Sequence, residues 1–465
     1  MQKFISKYAV AAHLALLAVS PLFLFPWCGA ESTAWTLAWL SVPAVLWMLL
    51  EPSRRMDEQL HDARERVWGE LVRDPLLWVF VLVAVVALLR WLNDGVAMTY
   101  DAENEYWLMK GADWEFLPAA VSGRGGLEFA LVVATCVVVE GCRHSLGKSA
   151  RLSFLFTSSV LSALAAVAAG LGGFFGHSGA LAAEKAAFVT PSFAGTVFGL
   201  YMLAAVIALA GALESHWRRV TMLSAFAIGG NGAGLFLFAP TIVALVFVAV
   251  VIPTFVFAII WTGSKARGAA ALKCFIGILV GVAIAVFVVV CCVPENLAAE
   301  RIALIPTGQL LPDGFWELRE KLSGIAAKVW KSSPWFGTGL GSFPLDIRFN
   351  TDAADWQVIN IRQSAVPNGW WTLLVERGIV GCAMFALPLA FMLFTFLRRI
   401  PASFGKRIFF PAAWLGVAAL LAVVAETFVD ASFLRPEAIM ALAALFVLAA
   451  GSMPPVKRKE KQEDD

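Results

Sequence analysis

Between Asp313 and Gly381 the chain gathers side chains that could act on a charged substrate. The cations Arg319, Lys328, Lys331, Arg348 and Arg362 fall here, with the carboxyl groups of Asp346, Asp352, Asp355 and Glu376. A guanidinium is a planar fork that pairs two phosphate oxygens, and a carboxylate can take a proton from a hydroxyl. Phosphate-linked group transfer needs those two functions. The same stretch holds Pro334-Trp335-Phe336-Gly337-Thr338-Gly339-Leu340-Gly341-Ser342-Phe343. With no strand before it and no helix start after it, this glycine run is not a nucleotide motif. It reads as tight turns that return a loop to its starting surface.

The histidines add little. Of His13, His61, His144, His177 and His216, only His177 falls on the outer side in the topology below, where it is either a base near neutral pH or a solvated loop residue. No His-x-x-x-His spacing or paired-carboxylate motif occurs, and the seven cysteines are scattered without a Cys-x-x-Cys. They read as small side chains in helix packing. The sequence therefore calls for no metal, cofactor or nucleic acid.

The elements that must position these residues are built for lipid. Of 465 residues, 60% are hydrophobic and 15% charged, against about 45–50% and about 25% in soluble domains. Twelve apolar windows are long enough to span a bilayer: 8–27, 32–50, 75–92, 121–141, 153–174, 193–213, 219–235, 238–261, 270–292, 371–397, 408–428 and 436–452. The pair 219–261 is the least regular, because Gly229, Gly230, Gly232 and Gly234 interrupt it and Pro240 follows. Lys and Arg cluster before the first window, after every even-numbered one, and in the tail at Lys457–Lys461. Twelve spans put all of these on one side, which the positive-inside rule makes cytoplasmic. The fold class is then all-α, a polytopic transmembrane bundle with both termini inside. Residues 1–292 hold spans one to nine, 293–370 a large outer loop, 371–452 spans ten to twelve, and 453–465 a charged tail.

Within the loop, Leu318, Leu322, Ile325 and Val329 form the apolar stripe of a helix that Asp313 caps and Pro334 ends. Arg319 lies at the edge of that stripe. Glu376, in the outer third of span ten, is costly unless paired, with Arg377 or Arg319 as partner. Residues 51–74 read as an amphipathic surface helix or a solvated connector. The acidic, aromatic stretch 93–120 reads as an interfacial belt or a carbohydrate-facing surface.

At Arg319, Pro334, Gly337, Gly339, Gly341, Phe343, Asn368, Glu376, Gly378 and Gly381, in this order and spacing, the chain resembles the O-antigen ligase and polymerase superfamily. These are polytopic glycosyltransferases of the bacterial inner membrane. They move glycan from an undecaprenyl-pyrophosphate carrier to a lipid or glycan acceptor on the periplasmic side. The resemblance implies that the large loop is periplasmic and that transfer is metal-independent. It implies Arg319, Glu376 and Asn368 as catalytic residues, and Lys331, Arg348, Arg362, Trp335, Gly337, Gly339, Gly341 and Asn231 as substrate-binding ones. Membrane lipids are the remaining partner.

Two positions depart from the family pattern. The family's His falls at Pro367. Its Ser-Arg-Gly-Ala-like motif has a compositional match in Ser264–Ala269, which sits among cytoplasmic basic residues, and Gly230-Asn231-Gly232-Ala233 lies at the right depth with Asn231 in place of Arg. These departures leave a second reading, a non-enzymatic relative in polysaccharide assembly. A transporter is the third. It predicts broken helices with buried charges at the membrane midplane.

Overall fold

A computed structural model describes residues 2–24, 30–50, 71–101, 106–114, 116–175, 191–214, 218–239, 241–266, 268–292, 315–351, 368–403, 410–429 and 436–452. Among the described residues nine apolar helices come first: α1 (Gln2–Leu24), α2 (Ala30–Leu50), α3 (Pro75–Leu92), α4 (Arg124–Glu140), α5 (Lys148–Phe175), α6 (Pro191–Glu214), α7 (Arg218–Phe238), α8 (Thr241–Ala266) and α9 (Ala269–Cys292). Two polar helices follow, α10 (Phe315–Ser332) and α11 (Phe343–Asn350). Then come α12 (Gly369–Ser403), α13 (Phe410–Val429) and α14 (Pro436–Ser452). A two-stranded hairpin, β1 (Ala97–Asp101) and β2 (Tyr106–Lys110), lies between α3 and α4.

The twelve apolar windows coincide in order with α1–α9 and α12–α14. Among the described residues, eight helices are long and apolar enough to cross a membrane. The chain is thus an all-α membrane-embedded bundle. Part of the 51–74 segment, the Asp313 cap, His177, Asp352, Asp355, Arg362, Pro367 and the charged tail lie outside the described residues.

Burial follows the hydrophobic pattern. Helix α6 is apolar on every face and buried along nearly its whole described length, as such a helix must be. It packs on α5, α7 and α8. Helices α8 and α9 instead present Ile252, Ile260, Ile276, Leu279 and Phe287 outward. The glycines that interrupt the pattern at 229–234 do not break α7. They let it run through the packed centre, because a Cβ on Gly229 would strike the Gly281 carbonyl at 2.6 Å and one on Gly230 the Ala163 methyl at 2.6 Å. Small residues at helix contacts permit this close approach.

Helices α3 and α4 pair closely because Gly125 faces the Trp91 backbone and Gly126 its indole. Helix α3 starts on a regular cap. Asp74 is extended, its Oδ1 accepts from Leu76 N at 3.0 Å, and Pro75 takes the first turn, where a missing N–H costs nothing. Asn93 ends it. The Asn93 N–H closes on Leu89 and Arg90, and its fully buried amide donates to the Trp114 carbonyl at 3.0 Å and accepts from Trp114 N at 3.1 Å. One side chain thereby ties the hairpin segment to the end of α3.

Candidate functional site

Helix α12 begins at Asn368, whose Oδ1 accepts from Trp371 N at 2.9 Å, an N-cap bond. The helix then breaks at Gly378, with φ 61° and ψ −170°, a conformation open in practice to glycine alone. In an unbroken helix Ile379 N would bond to the Val375 carbonyl, and Val380 N to that of Glu376. Here the loop after α10 takes their places. Ile379 N donates to Pro334 O at 2.9 Å and Val380 N to Trp335 O at 3.0 Å, while Val375 O accepts from Thr338 N at 2.8 Å. The loop can lie this close because Gly337 is also glycine. A Cβ there would meet Arg377 N at 2.6 Å. On its far side the loop bonds to the α4 approach, Leu340 N to Ala119 O at 2.9 Å and Val121 N to Leu340 O at 3.0 Å. Gly337, Gly339 and Gly341 all have positive φ, so the glycine run is the turn the sequence predicts. Its other role is to seat a loop in a helix break.

Immediately before the break, Arg377 is buried and bonds to Glu128 Oε1 of α4. Arg90 of α3 donates from Nη1 to the same carboxylate, 3.0 Å to Oε1 and 3.1 Å to Oε2. All three side chains are at least nine-tenths buried, at 4% exposure for Arg90, 3% for Glu128 and 9% for Arg377. Gly381, one turn on, leaves the space; a Cβ there would lie 2.8 Å from Arg90 Nη2. Two guanidinium groups share one carboxylate, so these three side chains sum to one positive charge, and the half-buried Glu376 stands near enough to act on Arg90. Arg90 Nε is also buried and makes no hydrogen bond. An excess buried cation with an unused donor is half of an anion site.

From this cluster a narrow cleft of about 60 Å³ runs between α3, α4, α12 and α14. Apart from Thr135 its further walls are apolar, among them Phe80, Val86, Val132, Phe385, Leu389 and Met392. Arg90 to Phe80 is ten helical residues, about 15 Å along the axis.

A second polar cluster sits above the break. The Asp346 carboxyl of α11 is buried. Its Oδ2 accepts from Thr338 Oγ1 at 2.7 Å and Ser342 Oγ at 2.9 Å. Burial pushes this carboxyl up to about 6, and the nearby Glu376 charge adds to the rise, while the two hydroxyl donors oppose it. Leu318, Leu322, Ile325, Ala326 and Val329 of α10 pack with Phe343, Ile347 and Val375 into a small core under this cluster. The stripe read from the sequence is its inner face.

The residues expected at the site are dispersed among these parts. Arg319 is half-buried on α10 and does not line the cleft. Lys331 is exposed in the last turn of α10, and Arg348 is on α11. Trp335 is exposed and serves the break through its carbonyl. Glu376 is half-buried beside Arg377. Asn231 is fully buried in α7, donating to Ser159 O at 2.9 Å and Ala227 O at 2.8 Å and accepting from Ser162 Oγ at 2.6 Å. Both its amide hydrogens are thus used, one within α7 and one, together with the Ser162 bond, joining α7 to α5. Arg90 and Glu128 are not among the residues the sequence singles out, and Arg377 is expected there only as a partner for Glu376. The signal was there, since ionisable residues inside apolar spans are rare and mark function or pairing. Comparison with protein-family models finds no match, and neither does comparison with curated protein sequences.

Proposed function

We propose that the chain is a membrane glycosyltransferase of the O-antigen ligase and polymerase type. It takes a glycan from an undecaprenyl-pyrophosphate carrier and passes it to a lipid or glycan acceptor on the periplasmic face of a bacterial inner membrane. The observation that carries this reading is an apolar cleft about 15 Å long that ends at Arg90, Glu128 and Arg377 with one positive charge in excess. The apolar walls suit an isoprenoid chain and the charged end suits its phosphates, and the cleft must widen beyond its 60 Å³ to admit them. In the reaction the acceptor hydroxyl oxygen bonds to the anomeric carbon as the bond from that carbon to the phosphate oxygen breaks. The pyrophosphate leaves with the electron pair, and the arginines stabilise the charge it gains. The acceptor's proton goes to a carboxylate at the loop end, for which Asp346 and Glu376 are the candidates.

The transporter reading also expects a broken helix with buried charge. In such proteins the half-helix N–H groups face the ligand near the midplane. Here Ile379 N and Val380 N are occupied by Pro334 and Trp335 carbonyls, and the break lies nine residues into a 35-residue helix. Both features favour a fixed site over an opening one.

The test is genetic and biochemical. Deletion in the host should remove or shorten a surface polysaccharide on a gel. Wild type should restore it, and Arg377→Met should not, at equal protein level in the membrane. An unchanged glycan on deletion overturns the transferase reading. Full complementation by Arg377→Met overturns the cleft as its site.

A further inference from the structure

At the opposite ends of α3 and α4 from Arg90 and Glu128 lies a second buried cluster, formed by Asp74, Glu140, Arg143 and His144. Helix α4 passes at Gly141–Ser145 into a π-helical turn, a local widening that often accompanies function. His144 Nε2 sits 3.1 Å from Asp74 Oδ2 and 3.2 Å from Glu140 Oε2. One ligand atom from each of Asp74, Glu140 and His144 lies within 4.8 Å of the other two. The carboxylates are 5% and 2% exposed, and the imidazole 21%.

One Nε2–H cannot serve two carboxylate oxygens. It is aligned on Asp74 Oδ2, and Glu140 Oε2 is left buried and without a hydrogen bond. A buried anionic oxygen without a donor is costly. Arg143 does not fill the gap. Its Nη1 lies 2.6 Å from Asp74 Oδ2 and 3.4 Å from Glu140 Oε1, leaving Oε2 aside. A metal ion on His144 Nε2 would take the place of the proton the imidazole shares with the two carboxylates, and the four side chains then sum to one net negative charge, which the ion offsets.

We infer that Asp74 Oδ2, Glu140 Oε2 and His144 Nε2 form a binding site for one divalent transition-metal ion. With bonds of about 2.1 Å, ligand atoms on a shared ion stand about 3.0 Å apart at right angles and about 3.4 Å apart in a tetrahedron. The observed 3.1 and 3.2 Å fall in that interval. Mixed imidazole and carboxylate donors suit Zn²⁺ or Mn²⁺ better than Ca²⁺, which prefers an all-oxygen shell. Asp74 Oδ1 is held by Leu76 N, and Arg143 holds both carboxylates from outside, as outer-shell partners orient metal ligands. The ion would pin the start of α3 to the end of α4. It is structural: Glu140 is twelve residues from Glu128, about 18 Å along the helix, so the ion takes no part in chemistry at the cleft. The inference is independent of the transferase reading.

The experiment uses the full chain, purified in detergent with a tag free of histidine and stripped with a chelator. Zn²⁺ and Mn²⁺ are then titrated separately, with Ca²⁺ as control, and bound metal is measured by mass spectrometry. One ion per chain is expected, together with a rise in unfolding temperature. Glu140→Gln and His144→Ala should each weaken binding at least tenfold. Asp74 is left intact because it caps α3. Absence of bound metal in protein of native helicity overturns the site. So does wild-type binding by both variants, which would place the ion elsewhere. Loss of stability in His144→Ala with no metal bound in the wild type also overturns it, and assigns the cluster to a proton shared by His144 with the two carboxylates.

Discussion

Replacing Gly378 with alanine should damage the protein far more than a one-methyl change elsewhere. Two costs add. The backbone at φ 61° and ψ −170° lies in a region that costs a non-glycine residue about 1–3 kcal/mol. The new Cβ would also lie 2.6 Å from Gly337 N and closer still to the Trp335 carbonyl. Those are backbone atoms and cannot rotate away, so the loop must withdraw. Withdrawal gives up the Ile379–Pro334 and Val380–Trp335 hydrogen bonds, each worth about 1 kcal/mol net. The total is about 3–5 kcal/mol. It falls on the residue beside Arg377, so surface-glycan complementation should fail along with stability. The assay is denaturant unfolding in detergent followed by tryptophan fluorescence. Gly324→Ala is the internal control. Gly324 is exposed on α10 with no atom within 4 Å of a new Cβ, and alanine there should stabilise by roughly 0.5–1 kcal/mol. If Gly378→Ala unfolds within about 0.5 kcal/mol of wild type and complements fully, the break does not seat the loop, and the reasoning is wrong.

Three further outcomes follow from the buried polar groups. Glu128→Gln leaves Arg90 and Arg377 facing a neutral amide and should cost about 3–5 kcal/mol; adding Arg377→Met should recover part of that loss, read as a coupling energy in a double-mutant cycle. Asp346 has a folded-state value near 6 against an ordinary 3.8, so the folded loop binds more protons than the unfolded chain between those limits. Its contribution to stability is present below about pH 4 and is lost as pH rises to about 6, by up to about 3 kcal/mol; hydrogen exchange at 337–346 should show that slope, and Asp346→Asn should abolish it. Asn231→Ala should destabilise by about 1–3 kcal/mol, since Ser162 and the Ser159 carbonyl lose buried partners; a loss of glycan with unchanged stability would instead place Asn231 at the substrate.

Local signals survive in the sequence, and long-range ones do not. The windows of α1–α9 and α12–α14, the stripe of α10 and its end at Pro334 are legible because apolar length, 3.6-residue periodicity and proline act within one turn or one span. Asn368, an N-cap residue type just before the 371–397 window, is a local helix-start signal of the same kind. Helix α11 was passed over although Pro344 stands in its first turn, a recognised start signal. The charge cluster is a different matter. Arg90, Glu128 and Arg377 are separated by 38 and 249 positions, and no local pattern says that two arginines in two spans share one carboxylate in a third. The glycine run was read as a turn because positive φ is a local property. That it fills a break 40 residues later, at Gly378, depends on a tertiary contact between two backbones.

Helices α3 and α4 form the frame on which these features converge. Glycines 125 and 126 bring the two within backbone contact at one end, where Arg90 meets Glu128. Asn93 binds the hairpin to that same end, and Leu340 joins the glycine loop to the segment entering α4. The loop in turn holds the break that sets Arg377. At the other end, Asp74, Glu140, Arg143 and His144 fix one helix against the other. A slip of one helical residue, about 1.5 Å, would pull Arg90 out of hydrogen-bond range of Glu128 and leave its guanidinium buried without that carboxylate. A membrane interior supplies no water to relieve such a mismatch. The polar locks at both ends are therefore what makes a buried, net-positive cluster tolerable between them.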